Sequence, residues 1–462
     1  MKASFVAGTI AVAAATVSAT PAKIEARASA TSSGALPTIT VKGNAFWKGN
    51  DRFYIRGLDY QPGGSSDATD PLSDESTCTR DIAEFKKLGI NTIRVYTVDN
   101  SANHDTCMSA LAAAGIYLAL DVNTPKYSIN RASPAESYNA VYLQSIFATM
   151  DAFAGYSNTL LFFSGNEVIN DDNTTNCAPY IKAVTRDMKQ YRDSRGYRAI
   201  PIGYSAADVD TNRYEMATYM NCGTDDQRSD FFAFNDYSWC DPSSYTQSGW
   251  DQKVQQYSNY SLPLFLSEYG CIKSTRKFEE VQALYNQEMT GVYSGGLVYE
   301  YSEEGSGYGL VEISGSTVTE KSDFTALQSA LSANPAPTGD GGYHTGSAST
   351  CPTESDHWEV KDFTGDALPA IPSSAVQYMS KGAGTGPGLT GDGSQNAGGQ
   401  SVGTASAGSG SATATASNGS AVASASASSA ASGFTLRGEN GVAPFVFAAV
   451  VAASTLFGAM LL

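Results

Sequence analysis

The chain has 462 residues and a formal net charge of -17, with 46 acidic against 29 basic side chains. That excess of negative charge argues against nucleic acid or anionic membrane surfaces as partners and fits a neutral substrate. Its composition is uneven along the chain, so one large folded domain is expected rather than the two or three that length alone would allow.

Lys2, the apolar run 5–17 and the small-residue triplet Val17-Ser18-Ala19 predict a secretory signal peptide over residues 1–19. In an exported chain, Cys78, Cys107, Cys177, Cys222, Cys240, Cys271 and Cys351 predict disulfides, and their odd number leaves at least one thiol unpaired. Sequons at Asn173, Asn259 and Asn418 fit the same secretory route.

From residue 36 to 335 eight short apolar runs recur: 53–57, 92–96, 117–122, 160–164, 199–204, 231–237, 264–267 and 296–301. Amphipathic stretches of helical length lie between them, at 81–88, 109–114, 135–154, 179–195 and 278–290. Alternation of this kind means parallel strands joined by helical crossovers. Eight units in this span predict an α/β fold of the (β/α)8 TIM-barrel type, with a doubly wound open sheet as the alternative. No Gly-rich nucleotide fingerprint follows the first run, which counts against the open sheet.

Residues 336–372 form a C-terminal extension, and 373–432 are so rich in Ser, Gly, Ala and Thr that a disordered stalk is expected. Small residues at 429–433, a polar spacer through Asn440 and an apolar tail with no basic residue after Arg437 predict a glycosylphosphatidylinositol attachment signal over 433–462. Such a tail is removed on lipid transfer.

In a barrel the chemistry sits at the carboxyl ends of the strands. There the sequence places Asp59, Gln61, Tyr96, Asp121, Asn123, Asn166, Glu167, Ser205, Asp208, Asn235, Asp236, Tyr237, Glu268, Tyr299 and Glu300. The set is rich in carboxylates and tyrosines and contains neither histidine nor cysteine. It argues against a histidine-based metal site or a Ser-His-Asp triad, and no cofactor is expected. Carboxylates with aromatic platforms suit glycosidic-bond cleavage, where one acid protonates the leaving oxygen and a second carboxylate attacks the anomeric carbon or activates water. Glu167, in Ser164-Gly-Asn-Glu-Val168, and Glu268, in Ser267-Glu-Tyr-Gly270, are the candidate pair. The alternatives are a helix-capping role for Glu167 and an ion pair of Glu268 with Arg56 or Arg94.

Asp59-Tyr-Gln-Pro-Gly63, Arg94-Val-Tyr96, Ser164-Gly-Asn-Glu-Val168, Ser267-Glu-Tyr-Gly-Cys271 and Gly295-Gly-Leu-Val-Tyr-Glu-Tyr-Ser-Glu-Glu304 resemble the signature segments of the fungal cell-wall β-1,3-glucanosyltransferases, glycoside hydrolase family 72. The resemblance runs from about residue 39 to 331. It implies a retaining two-step transfer in which Glu268 is the nucleophile and Glu167 the acid/base. A new reducing end is passed to the non-reducing end of another β-1,3-glucan. It also implies substrate contacts at Gln61, Tyr96, Asp121, Asn166, Asp208, Arg213, Tyr237 and Tyr299. The implied disulfides are Cys78–Cys107, Cys222–Cys351 and Cys240–Cys271, so that Cys351 tethers the extension and Cys177 is left free. With no cysteine after Cys351, the chain looks like members lacking the cysteine-rich carbohydrate-binding module. The expected setting is a monomer held by its lipid on the outer leaflet of the plasma membrane or passed to the wall. An endo-β-1,3-glucanase and a non-catalytic glucan-binding wall glycoprotein are the rival readings.

Overall fold

A computed structural model describes residues 35–66, 68–360, 367–401 and 403–406. Three short antiparallel strands come first: β1 (Ile39–Lys42), β2 (Ala45–Lys48) and β3 (Asp51–Phe53). Eight parallel strands then close into a barrel: β4 (Ile55–Asp59), β5 (Thr92–Val95), β6 (Tyr117–Asp121), β7 (Thr159–Asn166), β8 (Ile202–Ala207), β9 (Phe231–Asp236), β10 (Leu264–Tyr269) and β11 (Tyr293–Val298). β11 pairs with β4 and completes the ring, which establishes the barrel over the open sheet.

Every one of the eight apolar runs becomes a barrel strand, but the boundaries move. The first strand starts two residues later than the run, the fifth three later, and the eighth three earlier. The eighth hid behind Gly295 and Gly296, which weaken a strand pattern because glycine has no side chain to pack. Here Gly295 has φ +92°, and a Cβ would lie 2.0 Å from the Ile55 carbonyl oxygen. The strand crossing into β4 requires that bare backbone.

The run at 135–154 divides into helices Pro134–Ser137 and Ala140–Phe153, because the Asn139 side chain accepts from the amides of Val141 and Tyr142 and starts a new helix. The run at 278–290 likewise divides into Glu280–Leu284 and Gln287–Thr290. Helices Arg213–Met220, Trp250–Gln256 and Ser322–Ala333, and the hairpin β12 (Val311–Ser314) with β13 (Thr317–Glu320), had no counterpart in the apolar pattern.

One core lies between the strands and the outer helices. A second fills the barrel's lower end, where Phe46 of β2 enters among Phe163, Phe231 and Phe265. The Phe46 ring lies 5.9 Å from that of Phe265 and 6.4 Å from that of Phe231. Phe46 is fully buried. Phe46→Ala is therefore expected to destabilise the chain by about 3–5 kcal/mol, read from urea unfolding, while leaving activity below the transition intact.

Disulfides join Cys78 to Cys107, Cys222 to Cys351 and Cys240 to Cys271, and Cys177 is a free, buried thiol. The extension runs back over the barrel, with the Tyr343 ring 4.8 Å from that of Trp47 and the fully buried Trp358 5.4 Å from Tyr219.

Residues 373–401 and 403–406, expected as the start of a disordered stalk, are instead ordered. β14 (Ala367–Pro369) pairs with β15 (Thr404–Ser406), and helix Val376–Lys381 and the residues after it pack on the barrel's helices. The remainder of the expected stalk, the signal peptide and the lipid-attachment signal lie outside the described residues.

Candidate active site

Glu268 is the penultimate residue of β10, with only 8% of its surface exposed. Tyr96 donates to its Oε1 at 2.8 Å, Arg94 donates to the same oxygen at 3.3 Å, and Tyr237 donates to Oε2 at 2.7 Å. Burial pushes the carboxyl up to about 7; Arg94 draws it down, Glu167 adds to the rise, and the two tyrosine hydrogen bonds lower it again.

Arg94 is fully buried in β5 and serves several anions at once. Its Nε and one terminal nitrogen hold the two Asp121 oxygens at 2.8 and 3.2 Å, and its other terminal nitrogen reaches Glu268. The guanidinium is sandwiched against the rings of Tyr96 and Phe163, at 4.3 and 4.5 Å. Asp59, below them, is wholly buried, and neither of its oxygens has a hydrogen-bond partner among the described residues. Burial raises it well above the usual carboxylate range; Arg94 opposes this, and the nearby Glu268, Asp121 and Glu300 add to it. The Asp59 carboxyl is thus held against Arg94 with its charged form disfavoured by burial.

Glu167 follows β7 in the left-handed region, at φ +47°, which costs a residue with a side chain about 1 kcal/mol or more and persists only where surroundings enforce it. Its amide donates to the Ser205 carbonyl at 2.9 Å, and its carbonyl accepts from Arg131, whose Nε also holds the Val168 carbonyl at 2.8 Å. Asn235 donates to Glu167 Oε1 at 2.8 Å. The Asn235 amide is oriented by Ser267, which donates to its Oδ1 at 2.8 Å, while Ser205 donates to Asn166 Oδ1 at 2.6 Å. Asn235 stands opposite Glu268 in the β9–β10 register, so this one strand position spaces the two glutamates.

Tyr237, Tyr299 and Tyr308 form an aromatic wall beside Glu268, with ring centroids 5.2–6.5 Å apart, and Tyr96 joins it at 6.5 Å from Tyr299. The structure therefore gathers Glu167, Glu268, Tyr96, Asp121, Asn166, Tyr237 and Tyr299 at one end of the barrel. Gln61 stands one layer back: its Oε1 accepts from the amides of Tyr96 and Thr97 at 3.1 and 3.0 Å, and its Nε2 donates to Thr69. Asp208 and Arg213 pair with each other at 3.0 Å, and Lys253 bridges Asp208 and Asp236, so these residues form an ion network beyond the ends of β8 and β9.

Sequence reasoning missed the part that four residues play in the centre. Arg94 was read as an ion-pair alternative for Glu268 and as part of the segment Arg94-Val-Tyr96, with no role at the site assigned. Tyr308 lies in the glycine-punctuated loop after β11, outside any strand-end register. Arg131 and Lys253 come from a loop and a helix whose approach to the site no local pattern encodes.

Residues 28–334 match the model of the glucanosyltransferase family. A 1,3-beta-glucanosyltransferase gel1 of Aspergillus fumigatus is 66% identical over 85% of each chain. A 1,3-beta-glucanosyltransferase GAS5 of Saccharomyces cerevisiae is 54% identical over 78% of this chain and 75% of its own. Among solved structures, a mutant of Saccharomyces cerevisiae Gas2p in complex with laminaritetraose and laminaripentaose superposes with a TM-score of 0.66 at 36% identity, covering 71% of this chain and 74% of its own. On the family match, the extent of identity and the shared barrel, the chain belongs to the glucanosyltransferases of glycoside hydrolase family 72.

Proposed function

We propose that the chain is a retaining 1,3-β-glucanosyltransferase in which Glu268 is the nucleophile and Glu167 the acid/base. The observation that carries the roles is their difference in setting. Glu268 is buried and braced as an anion by Arg94, Tyr96 and Tyr237, whereas Glu167 is half-buried beside one amide donor.

A Glu268 oxygen bonds to the anomeric carbon as the glycosidic bond breaks, and Glu167 gives its proton to the departing sugar oxygen. The 3-hydroxyl of an acceptor glucan then loses its proton to Glu167 and attacks the anomeric carbon. This expels Glu268 and restores both carboxyl groups. Asn166 fits a contact to the sugar 2-hydroxyl, which strengthens in the transition state. Tyr237, Tyr299 and Tyr308 offer faces for sugar rings. Gas2p is solved with laminari-oligosaccharides, and β-1,3-glucan is accordingly both donor and acceptor here. A monomer anchored by lipid at the outer leaflet completes this reading, on the strength of the two terminal sequence patterns and a cleft formed from one chain.

Incubation with reduced β-1,3-glucan oligosaccharides, with products resolved by mass, separates transfer from hydrolysis. Products longer than the substrate are expected. Exclusively shorter ones would make the chain an endo-glucanase, and no change would favour the glucan-binding reading.

Tyr237→Phe removes a hydrogen bond that stabilises the Glu268 anion, so the Glu268 carboxyl rises further. Because the nucleophile must be ionised, the acidic limb of the kcat/KM profile should move up by about one pH unit. An unmoved limb would separate Tyr237 from the tuning of Glu268.

A further inference from the structure

Glycine-rich chain is usually taken as flexible, yet between residues 383 and 395 glycine does something else. A Cβ on Gly386 would lie 2.1 Å from Asn100 Oδ1, and one on Gly391 would lie 2.1 Å from the Tyr127 hydroxyl. These positions are bare because another chain segment lies against them.

Hydrogen bonds fix the same contacts. The Gly388 amide donates to Asn100 Oδ1 at 2.9 Å. Lys126 Nζ donates to the carbonyls of Leu389 and Gly391 at 3.3 and 3.0 Å, and the Ser394 amide donates to the Lys126 carbonyl at 3.0 Å. Asn100 and Lys126 stand in the loops that leave β5 and β6 at the catalytic end of the barrel. The first loop begins with Tyr96, a donor to Glu268. The second ends near Arg131, which holds the Glu167 carbonyl in its left-handed turn.

We propose that residues 383–395 are a strap that positions the β5 and β6 loops and, through Arg131, the Glu167 carboxyl, making this segment a working part of the transferase. The inference rests on the acid/base role given to Glu167 above. Loss of the strap's grip would leave the barrel folded while letting Glu167 relax from its turn, and misplacement of about 1 Å in a proton donor is enough to cost up to roughly a hundredfold in rate.

The full chain carrying Lys126→Met or Gly391→Val, with Gln377→Ala as a control outside the strap, would be assayed on reduced β-1,3-glucan oligosaccharides across pH, and melted in parallel. Expected are a kcat lower by about tenfold with KM within about twofold, and a pH profile that differs from the parent's. Gln377→Ala should match the parent in both. Variants that melt earlier but keep the parent's kcat and pH profile well below the transition would make the strap merely structural and overturn the proposal. If Gly391→Val does not fold, Lys126→Met, which removes two surface hydrogen bonds, decides the matter. A Glu167→Gln chain assayed alongside separates the two failures. Inactivity there with an unaffected Lys126→Met overturns the strap alone, whereas full activity there overturns the acid/base role and the strap with it.

Discussion

A Glu268→Gln chain should lose transfer by about 10⁴-fold or more and yet melt at a higher temperature than the parent at neutral pH. On the proposed mechanism the loss follows from removing the nucleophile. The gain follows from the same burial that shapes the site. Folding raises this carboxyl from 4.5 to about 7, so the folded chain binds the proton more tightly than the unfolded chain. Below the unfolded value the group is protonated in both states and costs nothing. As pH rises through the folded value the anion must be held in a poorly solvated place, at a penalty approaching ~3 kcal/mol. The neutral amide escapes that penalty, although it forfeits the attraction to Arg94. Melting curves of both chains at pH 5 and pH 8 check this: the difference should widen with pH, and a difference that narrows would contradict the placement of charge in the site.

Arg94→Gln should have the opposite effect on stability and an equally large one on activity. The guanidinium is the charge against which Asp121 and Glu268 are set, and Asp59 also lies in its field. Breaking a buried ion cluster by deleting the cation leaves the anions uncompensated and typically destabilises by about 3–5 kcal/mol. Without Arg94 the folded pKa of each carboxyl rises further above its unfolded value. The destabilisation should therefore be small in acid, where all are protonated, and grow as pH increases. Urea unfolding of parent and variant at pH 4 and pH 7 measures it, and a loss independent of pH would assign Arg94 a packing role alone.

The barrel was legible because each buried parallel strand must be apolar on both faces, so eight such runs stand out from the amphipathic helices between them. Glu167 and Glu268 were legible for a related reason, since a carboxylate closing an apolar run needs a special setting. The turn at Glu167 was not, because φ +47° there is imposed by Ser205 and Arg131 from elsewhere in the chain. Nor was Asn235 readable as the spacer between the glutamates, which depends on the β9–β10 register. The strap was misread for a different reason. Composition cannot distinguish a glycine present for freedom from one present because Tyr127 leaves no room for a methyl group.

The plug of Phe46 and its aromatic neighbours at the foot of the barrel bears on how a long polymer meets this molecule. The barrel is filled at its foot, so glucan can meet it only at the mouth, among the loops that follow the strands. Donor, acceptor and departing fragment must therefore all enter and leave by that one face.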